Sequence, residues 1–198
     1  MTRASTNVDG RTERANRTKA RIVAATVELI DNGDPAPTSR RIAERAGVSE
    51  RTIFQHFPDL EALHAAIAEH HIDAVTRQHR LVSPTLPLPA RVREFTRQRG
   101  RILEEMTALR RAALRYESGS RALQQSRLRW TALARSDLIQ TFGSALSCAD
   151  NPQATLSAAQ AVTGWAYWDE LRTAEGLRPD AASRVMATAL LRLLSGRP

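Results

Sequence analysis

The chain has 198 residues, of which 42% are hydrophobic, 5% aromatic and 25% charged, enough for one large domain or two small ones with a buried core. A single cysteine, the lack of any apolar run near the ~20 residues that span a bilayer and a polar N-terminus exclude a disulfide-stapled scaffold, a membrane-spanning chain and a signal peptide. The net charge of +8 is uneven: residues 77–135 hold 14 basic and 4 acidic side chains and residues 1–60 only 10 and 8, so charge alone does not identify a nucleic-acid binder.

Residues 1–14 are polar, carry no hydrophobic period and predict a disordered basic arm. From about Asn16 a helical pattern appears, with Ile22, Val23, Thr26, Val27 and Ile30 at three- and four-residue spacing. Asn32-Gly33 ends it, and the loop Asp34-Pro35-Ala36-Pro37 cannot continue it. Thr38 offers a cap for a short helix carrying Ile42, Ala43 and Ala46, which Gly47 stops. Ser49 caps a third helix, about Glu50 to His56, with Ile53 and Phe57 facing inward. A fourth runs from about Asp59 to about Arg80, with Leu60, Leu63, Ile67 and Ile72 as its apolar face. Ser83–Pro89, with three prolines in seven residues, marks a linker. Beyond it the pattern predicts helices at about 90–105, 106–116, 121–147, 153–175 and 180–195. There is no strand-like alternation and no internal repeat, so the fold class is all-α, a small N-terminal three-helix module joined to a larger helical body.

The most informative stretch is Thr38–Phe57, TSRRIAERAGVSERTIFQHF. A short helix, a tight turn at Gly47 and a second short helix capped by Ser49 are the parts of a helix-turn-helix. Ala43 is small enough for close helix crossing, Gly47 can supply a positive φ, and Val48 and Ile53 supply buried contacts. The second helix then presents Glu50, Arg51, Thr52, Gln55 and His56 outward, a donor-rich edge sized for the major groove.

The longer run of Arg21-Ile22-Val23-Ala24-Ala25, Gly33, Thr38, Ile42 to Ser49, Thr52, Phe54, His56-Phe57 and Leu63 resembles the DNA-binding domain of tetracycline-repressor (TetR) type regulators, over about residues 18–64. The resemblance implies a helix-turn-helix domain at 15–60 and a ligand-binding and dimerisation domain at 61–198. It implies a homodimeric, cytoplasmic transcription factor, usually a repressor that leaves a palindromic DNA operator when a small-molecule effector binds the body. Position by position, Thr38 and Ser39 match phosphate contacts, and Glu50, Arg51, Thr52, Phe54, Gln55 and His56 match the recognition helix. Arg51 and Gln55 are the candidates for base reading, since Arg forks onto guanine and Gln onto adenine; Thr52 and His56 suit phosphates. Two positions depart from the family pattern. Phe54 stands where tyrosine is usual, and Leu60 where lysine is common, and both changes weaken the expected backbone affinity. The basic arm, Arg11, Arg14, Arg17, Lys19 and Arg21, could compensate by reaching the adjacent minor groove.

In the body, the family places its effector cavity among the central helices. The wall candidates are Phe95, Leu103, Met106, Trp130, Phe142 and Trp165, with Tyr116 as a further donor; each is equally a core residue by default. Arg91, Arg93, Arg97, Arg99 and Arg101 either are solvated or hold an anionic effector against one or two of their number. Leu156, Ala159, Val162 and Ala166 form one apolar stripe and Val185, Met186, Ala189 and Leu193 another, which suit core or, as in the family, a dimer interface. His64, His70, His71 and Asp73 lack a third ligand at metal-binding spacing, so no metal and no cofactor is expected. Cys148 reads as a buried or semi-exposed structural cysteine. No phosphate loop, serine elbow or polar catalytic cluster is visible, which argues against an enzyme that has kept a vestigial helix-turn-helix. An activator, or a regulator controlled by a protein partner, is the alternative.

Overall fold

The structure, a computed structural model, describes residues 5–196, with side chains from Gly10 onward. Its regular structure is helical: α1 (Ser5–Asp31), α2 (Ser39–Ala46), α3 (Glu50–His56), α4 (Leu60–Gln78), α5 (Leu88–Leu114), α6 (Arg121–Ser147), α7 (Pro152–Val162), α8 (Trp165–Thr173) and α9 (Pro179–Ser195). A short 3-10 turn, Glu117–Gly119, joins α5 to α6, and no strand occurs among the described residues. No described helix is long and apolar enough to cross a membrane.

The chain divides into two compact units, Met1–Ala74 with Ala108–Ser126, and Val75–Thr107 with Arg127–Pro198. In the first unit α1, α2 and α3 pack together because each buries one apolar stripe. Ile22 and Val23 of α1, Ile42, Ala43 and Ala46 of α2, and Ile53 with Phe57 at α3 form a shared core that Leu63 and Ile67 of α4 complete. Two ion pairs fasten α2, Arg45 with Glu28 of α1 and Arg41 with Asp34 of the loop that follows it. The second unit has two cores. Val92, Phe95, Leu138, Phe142, Leu156 and Leu190 form one, and Leu103, Met106, Trp168, Leu171, Ala182 and Met186 the other.

Four expectations differ from the structure. Residues 5–14 are helical and extend α1 forward, with Arg17 paired to Glu13 one turn earlier at 2.9 Å; residues 1–4 of the expected arm lie outside the described residues. The break expected after residue 105 is missing, and α5 runs through it. Nothing there terminates a helix, and Thr107 Oγ1 turns back to donate to Leu103 O at 2.6 Å, a bond compatible with helical backbone. Conversely, the single helix expected over 153–175 is two. Thr163 leaves helical geometry at φ −110° and ψ 8°, and Gly164 starts α8 from an extended conformation at ψ 167°. A Cβ on Gly164 would come within 3.1 Å of Gln160 O, so glycine is what lets the chain turn so tightly there. Finally, Cys148 is exposed.

Candidate nucleic-acid interface

Local chemistry builds the helix-turn-helix. Thr38, in extended conformation, accepts from Arg41 N at 3.4 Å and so opens α2. Gly47 closes it in the left-handed region, φ 63° and ψ 43°, a backbone that L side chains rarely adopt. Val48 N then donates to Ala43 O at 3.0 Å, which folds the chain back toward the next helix. Ser49 Oγ accepts from Thr52 N at 3.1 Å and opens α3. The turn is also held from outside. Arg21 of α1 donates from Nη2 to Ala46 O at 2.5 Å and to Gly47 O at 3.3 Å, satisfying two carbonyls at the end of α2. Sequence reading placed Arg21 with the groove-reaching arm; its guanidinium is instead committed to the turn, because the close packing of α1 on α2 brings those carbonyls within reach.

On α3 only Ile53 is buried, while Glu50, Arg51, Phe54 and Gln55 are exposed and Thr52 and His56 half-buried. Arg51 and Gln55 are four apart and share a helical face; neither has an intramolecular hydrogen bond or ion pair among the described residues. Their donors are therefore available to a partner. Glu50 is engaged differently, accepting from Ser39 Oγ of α2 at 2.5 Å, so two expected contact residues hold each other across the two helices. Thr52 shares its hydroxyl with Ser49 Oγ at 2.8 Å. Phe54 (58% exposed) and Leu60 (64%) put apolar surface where the family pattern has a hydroxyl and an ammonium. Lys19 is exposed, and Arg17 is exposed but spent on Glu13.

Residues 22–67 match the family model described as bacterial regulatory proteins, tetR family. The DNA-binding domain is that of the TetR family. Solved structures agree in fold across nearly the whole chain. A transcriptional regulator from Rhodococcus sp. RHA1 is 18% identical, with 90% of this chain and 96% of that one covered and a TM-score of 0.71. A protein from Mesorhizobium loti assigned to the TetR family is 20% identical over 92% and 97%, again at 0.71. A multidrug binding protein, EbrR, solved with imidazole, is 18% identical over 86% and 88%, with a TM-score of 0.56. No curated protein matches the chain in sequence. Residues 22–67 thus carry a TetR-family DNA-binding domain, and the chain as a whole shares the fold of these solved structures.

The expected effector-wall residues do not gather at one place. Phe95 and Phe142 are fully buried and pack edge to face with centroids 5.1 Å apart. Leu103 and Met106 lie in the other core of the second unit, with Trp130 and Trp165 partly buried beside them. Trp165 Nε1 donates to Thr107 Oγ1 at 3.2 Å. Tyr116 belongs to the first unit, is 39% exposed and stacks on His64 at 5.5 Å. The two apolar stripes of the last helices also divide. Leu156, Ala159 and Met186 are interior to the protomer, whereas Val162, Val185, Ala189 and Leu193 are half-buried and Ala166 is exposed.

Two charged features escaped the sequence reading. Glu61 of α4 accepts from Ser120 Oγ at 2.6 Å and Ala122 N at 2.7 Å, capping the start of α6, and these hydrogen bonds hold its carboxyl below the ordinary value. His64, one turn on, and His71 are pushed below the ordinary histidine value by burial, which favours their neutral forms. In the second unit, Arg91 and Arg99 are buried while Arg93, Arg97 and Arg101 are exposed. Arg91 donates to Leu86 O from Nε and Nη2 and to Thr141 O from Nη1, fastening the proline-rich segment. Among the described residues, no group of three or more His, Cys, Asp or Glu is placed to hold a metal ion.

Proposed function

We propose that this TetR-family regulator is a homodimeric repressor that binds a palindromic operator and leaves it when a small molecule occupies the body. The observation that carries the DNA side is the pair Arg51 and Gln55, exposed on one face of α3 with no partner among the described residues. Guanidinium and carboxamide on one helical edge match guanine O6/N7 and adenine N6/N7 in the major groove. Ser39 and Thr38 at the start of α2, and Thr52 and His56 on α3, serve as the backbone contacts that set register. Such a domain spans about residues 15–60, and 61–198 form the ligand and dimer part.

Dimerisation has a mechanical purpose, because two recognition helices must sit about 34–36 Å apart to read two half-sites. The half-buried side chains Val162, Val185, Ala189 and Leu193, with the exposed Ala166, supply the self-complementary face, since the rest of each stripe is used inside the protomer. Effector release is then a population shift toward a spacing that no longer fits the two grooves. Support for a ligand-responsive body comes from the fold shared with EbrR, a multidrug binding protein.

The test is fluorescence anisotropy of the full chain on the DNA just upstream of its own coding sequence, against a scrambled duplex, at two salt concentrations. Sequence-selective binding with two protomers per site is the expected result. Weak binding that falls equally on both duplexes as salt rises is bare phosphate attraction and would refute the operator reading at that site.

A further inference from the structure

A small cleft in the second unit has a charge arrangement that its own residues leave incomplete. Its polar lining is His79, Arg80, Gln98, Arg99 and Asp137, and its apolar walls are Val82, Phe95 and Ile102. All belong to one compact unit. The cleft measures about 200 Å³ with its open mouth, and inside it there is room for a single small polar group.

At its inner wall Arg99 is 8% exposed and lies over the Phe95 ring, 5.2 Å from the centroid. Asp137 neutralises it but does not saturate it. Asp137 Oδ2 accepts from Arg99 Nη2 at 2.8 Å, while Oδ1 faces His79 Nε2 at 3.1 Å. The carboxylate is thus divided between the Arg99 guanidinium and the His79 imidazole instead of forking onto the guanidinium, and Arg99 Nε, fully buried, finds no acceptor among the described residues. Arg80, exposed, adds a second guanidinium; its Nη1 donates to Arg77 O at 3.1 Å and His79 O at 3.0 Å, which leaves Nε and Nη2 for a ligand. Two arginines face one aspartate, so the guanidinium groups of the lining outnumber its carboxylate by one.

The four other arginines of residues 91–101 do not offer this. Arg91 spends its donors on carbonyls, Arg97 is paired with Glu94, and Arg93 and Arg101 lie exposed. The buried Arg99 Nε–H needs an acceptor beside a lining richer in guanidinium than in carboxylate, and the space there admits only one small polar group. A monocarboxylate fits both conditions. One oxygen accepts from Arg99 Nε, the other turns toward Arg80, and a short apolar body lies along Val82 and Ile102.

We infer that this cleft is a binding site for a small amphipathic organic acid, with Arg99 as its buried anchor and Arg80 at its mouth. The inference deepens the ligand-responsive reading above by naming the class of ligand and the side chains that select it.

Isothermal titration of the full-length protein with sodium benzoate and sodium hexanoate, at ionic strength fixed with chloride, tests it. Benzamide is the neutral isostere of benzoate. Binding of at least one acid, with benzamide at least tenfold weaker than benzoate, is expected. Arg99→Lys keeps a charge for Asp137 but deletes the Nε–H, and it should weaken the acid at least tenfold. Because that buried substitution can also disturb folding, Ile102→Trp is the second variant, filling the cleft from a half-buried position while leaving the Arg99–Asp137 pair. It too should weaken the acid at least tenfold. Binding of neither acid, equal binding of benzamide, or a folded Ile102→Trp protein with undiminished affinity overturns the site. Operator anisotropy run with the same acids separates the two readings. An acid that binds without releasing DNA leaves the site standing and removes its effector role. A compound that releases DNA while neither acid binds does the reverse.

Discussion

Gly47→Ala tests whether the turn between α2 and α3 is set by backbone conformation and by Arg21 together. At φ 63° an alanine sits in the left-handed region, which costs roughly 1–2 kcal/mol for an L residue. The new Cβ would also stand 3.0 Å from Arg21 Nη2, the atom that donates to Ala46 O at 2.5 Å and Gly47 O at 3.3 Å. Arg21 is exposed, so losing those bonds adds about 1 kcal/mol and no more. Reduced freedom of the unfolded chain returns ~0.4–1 kcal/mol. The net is a loss of about 1–2 kcal/mol, or roughly 2–8 °C in melting temperature for a chain of this size. Differential scanning calorimetry of wild type, Gly47→Ala, Arg21→Ala and the double variant gives the coupling directly. The double variant should be less destabilised than the sum of the singles, because the arginine that Cβ displaces is already gone. Gly47→Asn, which tolerates the left-handed region better, should lose less than alanine. Equal stability of Gly47→Ala and wild type, or strict additivity with Arg21→Ala, would refute this account of the turn.

Three further expectations follow from the same reasoning. On the operator, Arg51→Ala and Gln55→Ala should each lose about 1–3 kcal/mol of discrimination between cognate and mismatched duplex, seen in competition anisotropy as relaxed sequence preference; unchanged selectivity in both would remove α3 as the reading element. Gly100→Ala in α5 should destabilise by roughly 1–3 kcal/mol, since its Cβ would meet Ser183 Oγ at 2.3 Å and Trp168 at 3.0 Å, whereas Gly143→Ala in α6, with nothing within 4 Å, should stabilise by about 0.5–1 kcal/mol; thermal melts that reverse this order contradict the packing. The Glu61 carboxyl is held below its ordinary 4.5, so its stabilising effect is complete above that pH and is lost as pH falls through the lower folded value. Urea unfolding of Glu61→Gln should therefore show a deficit at pH 7 that shrinks in acid; a pH-independent difference would rule out the charge as the cause.

The all-α class and the helix-turn-helix were legible in the sequence because every signal that makes them is local. Thr38, Gly47 and Ser49 act on backbone groups within a few residues of themselves, and the apolar positions repeat with the helical period. That is why α2 and α3 were anticipated to within a residue and why Arg51 and Gln55 could be placed on one outer edge. The period states which face of a helix is buried but not against what. It predicted stripes on the last helices without showing that Leu156, Ala159 and Met186 face inside the protomer. Nor could spacing along the chain reveal that Arg21 reaches carbonyls 25 residues away, that Glu61 caps a helix 59 residues on, or that Gly100 admits the Trp168 ring. Arg91, Arg97 and Arg99 read alike in sequence, yet one ties down a proline-rich segment, one lies exposed against Glu94, and one is buried over Phe95 with a donor to spare. Local hydrogen bonds and periodicity are fixed by neighbours in the chain. The fate of a long side chain is fixed by whichever distant acceptor the packed helices bring to it, and only the tertiary structure decides that.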